Sequence, residues 1–189
     1  MTTTPTQTVT GTYDIDPSHS RIGFVARHAM VTKVRGSFND FAGSGFFDVD
    51  NPAASHLELV IQASSVDTGN ADRDNHLRSN DFFDMESHPT IEFRSTAVER
   101  TGDTDYDVTG DLTIKGTTRS VTVGFTYQGA ATDPFGNSRI GFEGSTKVNR
   151  KDWGIEFNAP LETGGVLVSE QVTLEFDVSA VAAAGEPGA

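Results

Sequence analysis

Apolar residues in this chain recur at every second position through most of its length, which is the period of strands that bury one face. Ile22, Phe24, Ala26, His28 and Met30 share one phase, while Arg21 and Arg27 take the other. The alternation returns in Leu57, Leu59, Ile61 and Ala63, in Ile91, Phe93 and Ser95, and in Tyr106, Val108, Gly110, Leu112 and Ile114. It continues through Val121, Val123, Phe125 and Tyr127, then Ile140, Phe142, Gly144, Thr146 and Val148, and last Val172, Leu174, Phe176 and Val178. Turn-forming residues separate the runs at Asn51-Pro52, Thr101-Gly102-Asp103, Lys115-Gly116 and Asp133-Pro134-Phe135-Gly136-Asn137, so successive strands are expected to be antiparallel neighbours. Residues 70–83 break the period and read as a short helical segment.

Strands apolar on one side only must hide that side, and one short helix cannot cover so much sheet. Closure on itself is the economical solution, so the chain is expected to be all-β: an antiparallel up-and-down barrel of about eight strands. Such a barrel is either filled by its own side chains or holds one small ligand. Small residues at inward positions, including Ala26, Ala63, Ser95, Gly110, Gly144, Thr146 and Ala180, argue for unfilled volume; the competing reading is that they fit a taper or bend. The length of 189 residues suits one domain, expected at 12–181, with flexible tails at 1–11 and 182–189. The first residues lack the basic start and apolar run of a secretory signal, so a cytoplasmic location is expected; no apolar stretch is long enough to span a bilayer.

Composition narrows the function. Fourteen Lys and Arg stand against 27 Asp and Glu, a formal charge of −13, so a phosphate backbone or an anionic membrane surface is expected to repel the chain on average, and nucleic acid is not an expected partner. Cysteine is absent, which removes thiolate metal sites and cysteine nucleophiles. His28, in phase with a buried face, must find a partner or face a cavity. His19, His28 and His76 lack tight metal-ligand spacing, and no metal site is expected. Asp72, Arg73, Asp74, His76, Ser79 and Asp81 contain the residue types of a hydrolase, yet acids at a helix start and bases at its end equally serve the helix dipole. Asp103, Asp105 and Asp107 imitate a calcium loop whose twelfth position would be Ile114 instead of Glu. No catalytic residue is therefore assigned. Phe38, Phe41, Phe46, Phe47, Phe82 and Phe83 read as lying in loops or short elements, where they would plug or line a barrel mouth.

Several spaced motifs resemble the YceI-like, polyisoprenoid-binding family. They are Tyr13-x-Ile15-Asp16-x-x-His19-Ser20-x-Ile22-x-Phe24, His28-x-Met30, Gly36-x-Phe38, and Asp67-Thr68 leading into Arg73-Asp74-x-His76-Leu77-Arg78-Ser79-x-Asp81-Phe82-Phe83-Asp84. Pro89-x-Ile91-x-Phe93, Gly110-x-Leu112-Thr113-Ile114-Lys115-Gly116, Asp133-Pro134-x-Gly136 and Asn149-Arg150-x-Asp152-x-Gly154-Ile155 follow in order. His88 and Ser169 depart from the pattern, where an aromatic residue and Gly would be expected. The resemblance implies an extended lipocalin-like barrel, often dimeric, whose channel holds an isoprenoid lipid non-covalently and needs no other cofactor. On that reading Phe24, Ala26, His28, Leu59, Phe93, Leu112, Phe125, Phe142, Trp153 and Phe176 line the channel. His19, Arg73, Asp74, His76, Asn149 and Arg150 carry over as signature polar residues that either meet a head group or brace the barrel. The acidic charge favours an uncharged head, such as a quinone, over a diphosphate. An enzyme acting on such a lipid and a ligand-free stress-response or interaction protein are the alternatives.

Overall fold

The computed structural model describes residues 9–183. Its strands are β1 (Gly11–Ile15), β2 (Arg21–His28), β3 (Thr32–Phe38), β4 (Phe41–Phe47), β5 (His56–Gln62), β6 (Val66–Asp67), β7 (Thr90–Arg100), β8 (Asp105–Ile114), β9 (Thr117–Thr132), β10 (Ser138–Asn149) and β11 (Gln171–Ala182). One helix, α1 (Ala71–Arg78), follows β6. Hydrogen bonds link β1-β4-β5-β7-β8-β9-β10-β11 in that order, and β11 pairs back to β1, with Tyr13 opposite Ala182 and Ile15 opposite Ala180. The wall is thereby a closed antiparallel barrel of eight strands, and closure removes the unpaired edges an open sheet would leave.

Three further segments lengthen this wall at one end. The edge of β11 that meets β1 also meets β2, where Leu174 lies opposite Phe24, and β2 pairs with β3, which pairs with β6. β1 and β2 are thus two parts of one long strand, kinked by the 3₁₀ turn Pro17–His19; Asp16 caps that turn by accepting the Ser18 N–H. β3 and β4 form the second long strand, interrupted at Asn39 and Asp40, and β5 and β6 the third, interrupted by the 3₁₀ turn Ala63–Ser65. The up-and-down order expected from the alternation holds once these broken strands are counted whole.

The breaks account for the differences from the sequence reading. Phe38 closes β3, and Phe41, Phe46 and Phe47 belong to β4, so these four are wall residues and not loop residues. The alternating positions of β4 that include Phe41 and Phe47 hold Gly43 and Gly45 between them, and glycine contributes no apolar signal. His28 is a second correction. It keeps the inward phase but is exposed at the end of β2, beyond Val25, where the ladder to β11 stops; it lies opposite Thr32 and bridges Val168. Neither a core histidine nor a channel residue is found there. Ala63 sits fully buried in a 3₁₀ turn instead of a strand. The strands also reach one residue past the expected domain limits, to Gly11 and Ala182; residues 1–8 and 184–189 of the expected tails lie outside the described residues.

Two apolar clusters line the barrel interior. One, around Ile22, Phe38, Leu59, Ile91, Leu112 and Trp153, is covered by Leu77 of α1 with Phe83 and Met85 behind it. The other, around Tyr13, Phe47, Tyr106, Val123, Phe125 and Ile140, occupies the opposite part of the barrel. Phe93 and Phe176 pack against both.

Candidate functional site

Between the walls lies an apolar cavity of about 260 Å³ bordered by residues of both clusters, from Leu77, Phe82 and Ile155 to Phe47, Tyr106 and Ile140. Phe24, Ala26, Leu59, Phe93, Leu112, Phe125, Phe142, Trp153 and Phe176 all border it; His28 does not. Ile155 and Val168 also border it; Ile155 stands in a motif without a channel role and nothing in the sequence marks Val168, because both lie on an irregular segment without period. Trp153 is held in place by its indole N–H, which donates to the Leu112 carbonyl at 2.9 Å.

Glycine keeps the lumen open by an indirect route. At Gly110 and Gly144 a Cβ would stand 2.5 Å from the Phe93 ring and 2.6 Å from the Phe125 ring; at Gly36 it would strike the ring of Phe24. Phe24 and Gly36 are direct cross-strand partners, as are Phe125 and Gly144. Each ring therefore lies against the bare backbone of a neighbouring strand instead of projecting across the barrel. These glycines do not leave holes beside themselves; they let large neighbours fold onto the wall.

Arg150 is the one Lys, Arg, Asp or Glu that borders the cavity among the described residues. It is buried, and burial lowers its pKa. Its guanidinium donates to the carbonyls of Ser169, Ile155 and Val168, all backbone, so its charge is committed to fixing the chain between β10 and β11. Asn149 caps the 3₁₀ turn Arg150–Trp153 by accepting the Lys151 N–H. The other signature residues stand away from the cavity. Asn70 caps α1 by accepting the Arg73 N–H, and Asp74, buried, accepts the Thr68 N–H and hydroxyl at 2.9 and 2.6 Å. Arg73 donates to the Thr68 hydroxyl and carbonyl. These bonds dock α1 onto the end of β6. His76 faces Asp81 at 2.8 Å and makes edge contacts with Phe82 and Phe157.

His19 lies at the kink between β1 and β2, 2.8 Å from Asp16. Arg139 joins Asp16 at 2.7 Å and Asp133 at 2.8 Å, tying the β9–β10 turn to the kink. Hydrogen bonds from Ser18, Arg139 and His19 hold the Asp16 carboxyl well below the usual carboxylate range, and Arg139 does the same for Asp133. No group of His, Asp or Glu suited to a metal ion occurs among the described residues, and every buried side-chain N or O there has a partner. Ser169, one of the two departures from the motif pattern, accepts the Arg27 N–H and donates to the Gln171 carbonyl.

A family model for the YceI-like domain matches residues 13–180. The chain belongs to the YceI-like family. UPF0312 proteins are among its relatives: one from Pseudomonas aeruginosa is 42% identical over 154 residues, 80% of each chain. Another, from Azotobacter vinelandii, is 40% identical over 143 residues, 76% of this chain and 74% of that one. Among solved structures, Burkholderia cenocepacia BcnA superimposes with a TM-score of 0.77 at 25% identity, covering 87% of this chain and 98% of its own. The Campylobacter jejuni YceI protein gives 0.72 at 28% identity, covering 83% and 90%. A polyisoprenoid binding domain from Saccharophagus degradans shares the fold, with a TM-score of 0.68 at 19% identity over 90% of this chain and 98% of that one. No helix among the described residues of this YceI-like chain is long and apolar enough to cross a membrane.

Proposed function

We propose that this YceI-like protein binds a hydrophobic isoprenoid-type molecule in its barrel and thereby stores or carries it. The observation that carries the reading is the apolar cavity bordered by both core clusters, with phenylalanine rings laid along its wall. Its volume of about 260 Å³ falls just below the range for small-molecule pockets, roughly 300 to 1,000 Å³, and suits a slender chain. The polyisoprenoid binding domain of S. degradans shares the architecture and supports the choice of ligand class.

Hydrophobic burial supplies the affinity: at roughly 0.8 kcal/mol per methylene, each five-carbon unit contributes about 3 to 4 kcal/mol gross. Ordering the chain and losing its free motion offset much of that sum. An uncharged head, of the quinone kind, fits best, because the one cation on the lining already spends its guanidinium on three carbonyls and none remains to neutralise a diphosphate inside. A binding role is preferred to catalysis: Asp74 and His76, on which an enzyme reading would turn, are bonded to Thr68 and Asp81 and do not border the cavity.

Extraction of the purified protein with organic solvent, followed by mass spectrometry, tests the reading. An isoprenoid released in proportion to protein is the expected result; only adventitious fatty acid or nothing, with no uptake of an added prenylquinone, overturns it. A homodimer belongs to the reading as well, and sedimentation equilibrium measures it.

A further inference from the structure

We propose that the β2–β3 hairpin is a docking surface for an anionic lipid bilayer, an inference that rests on the carrier reading and names where the lipid is exchanged. Residues 21–38 contain no Asp or Glu, in a chain with 27 of them, and hold Arg21, Arg27, Lys33 and Arg35. Arg27, Lys33 and Arg35 are exposed on the face of the hairpin opposite to Phe24 and Ala26. Glu175 pairs with Arg21 and Arg35, but Arg27 and Lys33 have no acidic partner among the described residues. Those two stand directly opposite one another across the ladder, an arrangement that destabilises a sheet unless an anion meets it. At the tip, Met30 and Val31 are 56% and 76% exposed. Ala29 and Met30 hold positive φ, which turns the chain tightly between β2 and β3.

An apolar tip within a basic collar matches a membrane interface: the tip enters the acyl boundary while the collar meets phosphate groups. A lysine on a free strand edge also deters strand pairing, and β3 is paired on its outer side only at Ser37 and Phe38. That role covers Lys33 and Arg35, and Arg27 also donates to the Val31 carbonyl across the turn, but neither role explains the exposed tip. The adjoining irregular segment brings Glu156 and Glu162, both exposed, while Glu170 is paired with Lys151. The hairpin also stands at the cavity's α1 end. Ala26 borders the cavity two residues before His28, and Val168, which bridges His28, borders it too. Docking by the tip would set that end of the barrel against the bilayer, so a chain leaving the lipid would cross little water.

Cosedimentation of the full chain with vesicles of phosphatidylcholine alone, and of phosphatidylcholine mixed with phosphatidylglycerol, tests the proposal. Partitioning should be confined to the anionic vesicles and lost at high salt. Arg27→Gln with Lys33→Gln should lower it roughly thirtyfold, about fivefold per residue, and Met30→Ser with Val31→Ser about tenfold. Equal binding to both vesicle types, or an unchanged double Gln variant, overturns the proposal, as does binding to duplex DNA or an acidic protein in place of the vesicles. Each variant is also extracted with solvent. Lipid content equal to wild type shows an intact barrel, and empty wild-type barrels that still partition by charge separate failure of the carrier reading from failure of the docking surface.

Discussion

Gly144 shows what one missing side chain does. A methyl group there would stand 2.6 Å from the Phe125 ring, with backbone just behind at the Gly124 carbonyl, so the ring must swing off the wall. Gly144→Ala is expected to cost about 1 to 3 kcal/mol from overpacking and to reduce the lipid recovered per protein; urea titration and solvent extraction measure the two. Gly144→Ala combined with Phe125→Leu should regain the lipid. If the single variant retained full lipid content, the glycine would matter only for packing. Arg150 is the second informative residue. Arg150→Met removes donors from three carbonyls and is expected to cost at least about 3 kcal/mol in urea unfolding, while the lining stays apolar.

At the scale of elements, the Arg139 clamp joins two distant parts of the wall, the kink between β1 and β2 and the turn between β9 and β10. Both carboxyls are held below their ordinary value of 3.8, so the unfolded chain takes up protons first as the pH falls. The clamp's contribution is complete above about pH 5 and fades as acid approaches the folded carboxyls. Arg139→Gln should therefore lower the urea midpoint at neutral pH, and its difference from the natural chain should shrink at acid pH; a constant difference would assign Arg139 a packing role alone. The α1 cap offers a second check, since Asn70→Ala should cost about 1 kcal/mol. Strands β7 to β11 were legible because their inward positions are mostly large and apolar, as in Val121, Val123 and Phe125. β3 and β4 were not, because Gly36, Gly43 and Gly45 sit where the apolar signal should be, and what crowds them, the Phe24 ring at Gly36 and β5 carbonyls at Gly43 and Gly45, is seen only in the fold. His28 misled for a different cause: the period persists along β2 after the wall it belongs to has ended. The cavity residues of the strands could be read from phase, whereas Ile155 and Val168 lie on a segment whose course depends on Arg150 and Asn158 bonds between distant positions.

The whole molecule is a ring of neighbours in chain order, joined into a cylinder by its first and last strands. A chain ending at Asn149 would lack β11, leaving β10 and the β1–β2 strand without their partner. It is expected to show no cooperative unfolding transition in urea, and a sharp transition would mean that the remaining strands form an independent unit. If the barrel carries a lipid as proposed, the same seam fixes when it can acquire one. Since Tyr13 waits for Ala182, no enclosed space exists while the polypeptide is still emerging from the ribosome. A nascent chain has nothing in which to trap a lipid, so on the proposed carrier role loading would be an act of the finished molecule, through an end of the cylinder and never through an unsewn side.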